Sequence, residues 1–419
     1  MRSIVLFYCV LLGTFSLKAQ SPTYLLKPAR VFDGETLHDN WQVIVKGDKI
    51  EAVGANLSIP AGVQVISLPN LTLLPGLIEG HSHLLLHPYN ETSWDDQVLK
   101  ESSAERVARA VVHANKTLLA GFTTVRDLGT EGAAYDDIGL KQAIEKGIVP
   151  GPRVIAAGRA LVVTGSYGPK VTSPEIDLPQ GAEEADGHDN LIKAVRTQIG
   201  KGIDVVKIYA DYRWGLFRDA QPTFLPEEIE LIVKTAASSS RQVVAHASTA
   251  EGMRRAILGG CVTIEHGDGG TPEIFKLMKE RGVALCPTIA AGDAISQYRG
   301  WRKGMEPDPE RIQQKRNSVK AALEAGVTIC MGGDVGVFTH GENAREMELM
   351  VEYGMKPMDV LKAATSVNAD VFRWGNRIGR VKQGLFADLI AVEGNPTQTI
   401  SDVRKVHFVM KAGNIYLNK

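Results

Sequence analysis

Val262-Thr263-Ile264-Glu265-His266 leads through a polar turn to Thr271-Pro272-Glu273, and Gly282 stands just before a second apolar run, Val283-Ala284-Leu285-Cys286. The two apolar runs are too short for helices and read as buried strands. Thr271 has the character of a helix cap, Pro272 suits the first helical position, and Glu273 suits the positive end of the helix. Gly282 stops that helix. The unit is therefore strand, helix, strand. The same rhythm occurs upstream, where Val107, Val111, Ala114 and Leu118 share one helical face, Gly121 closes the helix, and Phe122-Thr123-Thr124-Val125 comes next. Such apolar runs lie near residues 77–83, 122–127, 153–158, 203–209, 242–246, 262–266, 283–287 and 327–334. Strands alternating with helices make a parallel sheet, and eight of them predict an α/β protein with a (β/α)8 TIM-like barrel. An open doubly wound sheet is the structural alternative. The chain has neither G-x-G-x-x-G nor G-x-x-x-x-G-K-[ST], which favours the barrel.

Both ends of the chain depart from this rhythm. Trp41, Val43 and Val45 alternate up to a Gly47-Asp48 turn, and Ile50 and Val53 continue beyond it, as in a β-hairpin. The tail carries two more strand-like runs, 387–392 and 406–410. Neither end can bury a core alone, so residues 22–74 and 376–419 are expected to share one small β-sandwich beside a barrel over 75–375. Residues 1–19 are expected to be a signal peptide: Arg2 precedes the apolar run 4–15, and Ala19 offers a small residue for cleavage. That run is too short for a stable membrane anchor. The expected location is the periplasm or the exterior. Of the cysteines, Cys261, Cys286 and Cys330 lie in strand-like stretches and read as small buried hydrophobes rather than a disulfide framework.

Composition agrees with a globular protein. Hydrophobic residues make up 44% of the 419 and charged residues 23%, which excludes a disordered chain. The formal net charge of −1 carries no basic footprint for nucleic acid.

Six polar residues end the apolar runs: His81, His83, Lys207, His246, His266 and Asp334. C-terminal strand ends are where barrel enzymes assemble their sites. Alternation places His81 and His83 on one face, where two imidazoles can grip one cation. Glu265, next to His266, is expected on the opposite face in a structural role. Lys207 comes after Val205-Val206 in a strand expected to be buried. A buried ammonium tends to lose its proton, and a neutral amine can add CO2 to form a carbamate able to bridge two cations. The bland alternative pairs Lys207 with Asp334.

These motifs resemble the amidohydrolase superfamily, in the branch of imidazolonepropionase-like proteins, Xaa-Pro-type dipeptidases and ochratoxin-degrading amidases. The resemblance runs from about residue 25 to the C-terminus. It rests on residues 74–83, Thr123-Thr124-Val125-Arg126-Asp127, Lys207, His246, Glu265-His266-Gly267, Gly333-Asp334 and the tail 384–389. It implies two divalent metal ions, usually Zn²⁺. One would be held by His81, His83 and Asp334, the other by His246 and His266, with a CO2-derived carbamate on Lys207 shared between them. It also implies that Asp334 accepts and returns the catalytic proton, with Lys207 as the bridging group. The implied reaction is hydrolysis of an amide or peptide bond in a small molecule. An imidazolonepropionase-like cyclic-amide hydrolase or a deaminase is the first alternative. That one-metal design places an acid three residues after the strand-five histidine, where this chain has Thr249. A non-catalytic binding relative is the second alternative.

Substrate signals are weaker. Tyr209, Tyr212, Arg213 and Arg218 lie just after the Lys207 run, and His340 and Arg345 lie beyond Asp334. Tyr and Arg at such places suit a free carboxylate, as in dipeptides or N-acyl amino acids. The expected substrate-binding residues are therefore Tyr209, Tyr212, Arg213 and His340. Assembly into a homo-oligomer is open.

Overall fold

The structure, a computed structural model, describes residues 22–169, 173 and 175–419. The expected signal segment lies outside the described residues. Among those described, no helix is long and apolar enough to cross a membrane.

The repeating middle of the chain folds as its rhythm indicates. Thr271 caps helix Pro272–Arg281 by accepting from the Ile274 N–H, and Gly282, at φ +67°, ends it. Leu77–Ser82, Phe122–Asp127 and Arg153–Ala156 pair in parallel. Leu161–Val162, Val205–Tyr209, Gln242–Ala247, Thr263–His266 and Ala284–Cys286 form a second parallel set. The arrangement is α/β and consistent with a TIM-like barrel. Seven expected strands are present with small shifts at their ends. The run 327–334 is not a regular strand: it meets its neighbours through the isolated bridge Leu285↔Ile329 and scattered backbone hydrogen bonds, with a second bridge, Ser82↔Val335, just beyond it. Its Gly332 packs so tightly that a Cβ there would lie 2.8 Å from the His81 nitrogen and 2.4 Å from Cys286 Sγ. Close approach to the His81 strand replaces ladder regularity in this segment.

Alternation sorts the apolar residues into two clusters. Val206, Ile208, Val243, Ala245, Ile264 and Leu285 face the helices. Ile78, Ile155, Val205, Val244, Ala284, Cys286 and Cys330 face one another and are closed off by Phe372 and Ile378. Cys261, Cys286 and Cys330 are buried and unpaired, as the sequence indicates.

The chain ends meet in one mixed eight-stranded sheet. Gln64–Pro75 is its hinge, pairing in parallel with Thr23–Phe32 on one side and antiparallel with Leu389–Glu393 on the other. Gln42–Lys46 and Lys49–Gly54 form the expected hairpin. The sheet carries its own apolar cluster, including Leu26, Val45, Leu73, Leu389 and Phe408. Two residues beyond Pro75 the chain enters Leu77–Ser82, so the sheet is anchored directly to the strand that leads to His81 and His83.

Candidate active site

All six strand-end residues converge. The ring centroids of His81 and His83 lie 5.3 Å apart, those of His81 and His266 5.1 Å, and those of His246 and His266 4.5 Å. Asp334 Oδ1 lies 3.2 Å from His83 Nε2 and 3.7 Å from His81 Nε2. One donor atom each from His81, His266 and Asp334 fall within 4.8 Å of one another, close enough to share a cation. Lys207 is 1% exposed, lies on the inward face between Val205 and Tyr209, and has no hydrogen-bond or ion-pair partner among the described residues.

Three of the imidazoles are held from behind. His81 Nδ1 donates to Glu265 Oε2 at 2.9 Å, and His83 Nδ1 donates to the Gly129 carbonyl at 2.8 Å. His266 Nδ1 is hydrogen-bonded to Thr288 Oγ1 at 2.7 Å. Each bond fixes the ring plane and turns Nε2 toward the cluster, where that of His83 meets Asp334, the usual way a ligating histidine is oriented. His246 differs. Its ring stacks on Tyr209 with centroids 4.6 Å apart, and neither nitrogen is taken up by a hydrogen bond among the described residues.

Glu265 corrects one expectation. It faces inward, and His266 is the residue whose side of the strand would ordinarily point out. The chain takes His266 at φ +77°, which breaks the alternation and swings its imidazole into the cluster. For a non-glycine residue that conformation costs about 1–2 kcal/mol. Asp334, at φ +61°, uses the same device. Glu265 is fully buried and ion-paired to Arg126 at 2.8 Å, and Arg126 also donates to the Gly80 carbonyl at 2.7 Å. A buried carboxylate with these partners is stabilised as the anion and serves as the acceptor for His81.

The electrostatics arise from burial and the crowding of charges. Burial and the nearby Lys207 push His81 down to about 4 and His246 to about 3. Burial, with His246 and His81 close by, lowers His266 well below the ordinary imidazole value. Burial opposes charge on His83 too, but its hydrogen bond to Asp334 and the charges of Asp334, Glu131 and Asp127 raise it to about 9. Asp334 resists burial through His81, His83 and Lys207 and is held at about 2. Burial lowers Lys207, against the pull of Glu265 and Asp334.

One side of the cluster is an aromatic wall that sequence reading found only in part. Tyr209 and Tyr212, the expected substrate-binding pair, belong to it, joined by Trp94 and Tyr167 with ring centroids 4.6–5.9 Å apart. Its hub is Glu131, which accepts from Trp94 Nε1 at 2.9 Å, from Tyr209 Oη at 3.3 Å and from the Tyr167 hydroxyl. Trp94 opens the short helix Trp94–Lys100, Glu131 and Tyr167 come from separate loops, and no local pattern marks the three as partners. Arg213 and Arg218 are exposed on the loop beyond Tyr212. His340 is buried away from this wall: it stacks on His113 at 4.2 Å and donates to the Leu86 carbonyl at 3.0 Å. Arg345 is engaged by Asp293.

A cluster of strand-borne imidazoles, a carboxylate and a buried lysine has the donor chemistry of a metal site, and comparison with known proteins gives the family. The amidohydrolase family model matches residues 72–416. The chain belongs to the amidohydrolase family. It is 31% identical to ochratoxinase of Aspergillus niger over 92% of this chain and 84% of that protein. A crystal structure of a Xaa-Pro dipeptidase with bound methionine superposes with a TM-score of 0.83 at 30% identity, covering 94% of this chain and 100% of that one. A prolidase complexed with N-methylphosphonate-L-proline gives 0.83 at 28% identity, covering 95% and 100%.

Proposed function

We propose that the protein is a binuclear metal-dependent amidohydrolase cleaving a carbon–nitrogen bond in dipeptides or N-acyl amino acids. In this reading the two parallel sheets close, through the bridges at Ile329 and Val335, into a (β/α)8 barrel, and the terminal sheet curls into the accompanying β-sandwich. The observation that carries the function is the donor set: three imidazoles pinned at Nδ1 with Nε2 turned into the cluster beside Asp334. That chemistry fits divalent cations such as Zn²⁺. His81, His83 and Asp334 would hold one ion, His246 and His266 the other, with Lys207 as a carbamate between them. Lys207 suits this role because burial favours its neutral amine and no carboxylate is paired with it. When bound, the ions acidify water and polarise the scissile carbonyl.

The chain's own residues do the rest. Asp334, held anionic, takes a proton at a carboxylate oxygen and returns it to the leaving nitrogen. Glu265 and Thr288 keep their imidazoles turned to the reacting centre. Tyr209 and Tyr212 wall the substrate space and limit water, and Arg213 is available to a free carboxylate.

The deaminase alternative finds less support. At the position three after His246, Thr249 caps helix Ala250–Gly259 by accepting from the Gly252 N–H at 3.0 Å and brings no acid to the cluster. The test is a hydrolysis screen of dipeptides and N-acyl amino acids with Zn²⁺-reconstituted protein. Release of free amino acids is expected. Ammonia as the only product would replace this reading with deamination.

A further inference from the structure

Helix Glu310–Glu324 lies outside the donor cluster yet reaches its edge. Lys315, 3% exposed, donates to the His266 carbonyl at 2.8 Å and to the Pro287 carbonyl at 2.7 Å, and pairs with Asp268. Three residues on, and so on the same helix face, Ser318 donates to the Gly267 carbonyl at 2.6 Å. These carbonyls sit where two adjacent strands end in strained turns. His266 is at φ +77°, and the residue after Pro287 is Thr288, at φ +48°. Thr288 is also the partner of His266 Nδ1.

One ammonium therefore fixes both a cation-facing imidazole and the hydroxyl that orients it. We infer that Lys315, assisted by Ser318, is a positioning clamp for the second cation site, holding the left-handed backbones of His266 and Thr288 so that His266 Nε2 faces the cluster. The inference rests on the two-metal reading above. An ammonium has three N–H donors and no acceptor, and here they meet two carbonyls and one carboxylate. A methionine would fill similar space and donate nothing. Backbone conformations of this kind persist only where the surroundings over-determine them, and the clamp supplies that constraint from a different element.

The test compares wild type with Ser318→Ala and with Lys315→Met combined with Asp268→Asn, which avoids leaving a carboxylate without its partner. Zn²⁺ stoichiometry and chelator competition resolve the two sites, and melting of the metal-free proteins reads stability separately. In the double variant one site should weaken by about 10–100-fold, the range for groups behind a ligand, while the other holds its wild-type affinity. Ser318→Ala should weaken the same site by less. Both sites weakening equally, or neither weakening while only the melting temperature falls, would show a purely structural lysine. Should the double variant not fold, Ser318→Ala decides alone, and unchanged affinity at both sites overturns the clamp. Wild-type protein saturating below two Zn²⁺ would instead defeat the two-metal reading, and the clamp with it.

Discussion

On one side of the donor cluster, His81, His83 and His266 each have a ring nitrogen fixed by Glu265, Gly129 or Thr288. On the other, buried Lys207 and half-buried His246 make no hydrogen bond among the described residues. The first side is set before anything binds. Glu265 is itself held by Arg126, so His81 stands on a chain of buried partners reaching back to Gly80. The second side has no such internal support, and in the proposed function its partners are the cations, with Lys207 as the bridging group. Tyr209, stacked on His246 and bonded to Glu131, supplies apolar support without satisfying either group.

The contrast can be broken most directly at Lys207. Lys207→Ala should reduce turnover to background, and short carboxylic acids should restore part of it by placing a carboxylate in the vacated space. Lys207→Arg should stay inactive, because a guanidinium remains charged and cannot add CO2. Near-native turnover in the alanine variant would remove Lys207 from the centre. On the ordered side, Asp334→Asn should lower kcat by about 10²–10⁴-fold while the protein keeps at least one metal, since the amide can still donate an oxygen but cannot shuttle a proton. Activity within a few-fold of wild type would take Asp334 out of the mechanism. Glu265→Gln tests the support instead of the ligand. It should weaken one metal by about 10–100-fold, with kcat recovering as Zn²⁺ is raised; loss that no Zn²⁺ concentration repairs would assign Glu265 a direct chemical part. Tyr209→Phe should change kcat by less than about threefold, because it removes only two long hydrogen bonds, to Glu131 and Tyr167, and leaves the stack on His246. A larger loss would mean that the hydroxyl touches substrate.

Much of this was legible along the chain. The Thr271–Cys286 period, the hairpin at Gly47-Asp48 and the placement of His81, His83, Lys207 and His246 on or just after strands all come from local rules of capping, turn chemistry and alternation, although Lys207 stands mid-strand and not at its end. Glu265 and His266 show where those rules stop. Alternation does put them on opposite faces, but it does not say which face is inner when a positive φ reverses the last residue. The wall of Trp94, Glu131 and Tyr167 was not readable either, because its members, a helix's first residue and two loop residues, lie far apart in sequence and meet only around the buried Glu131 carboxylate.

Sequence by itself determined the periodicity, the family motifs and the identity of the six strand-end side chains. These depend on neighbours within a few residues, or on a motif recognisable as a string. Tertiary structure alone decided which nitrogen of each imidazole is free, which groups remain unpartnered, and how Lys315 reaches His266 from another helix. The reason is that orientation is set by hydrogen bonds across the fold. Those bonds join residues such as His81 and Glu265, 184 positions apart, whose proximity exists only after the strands have assembled.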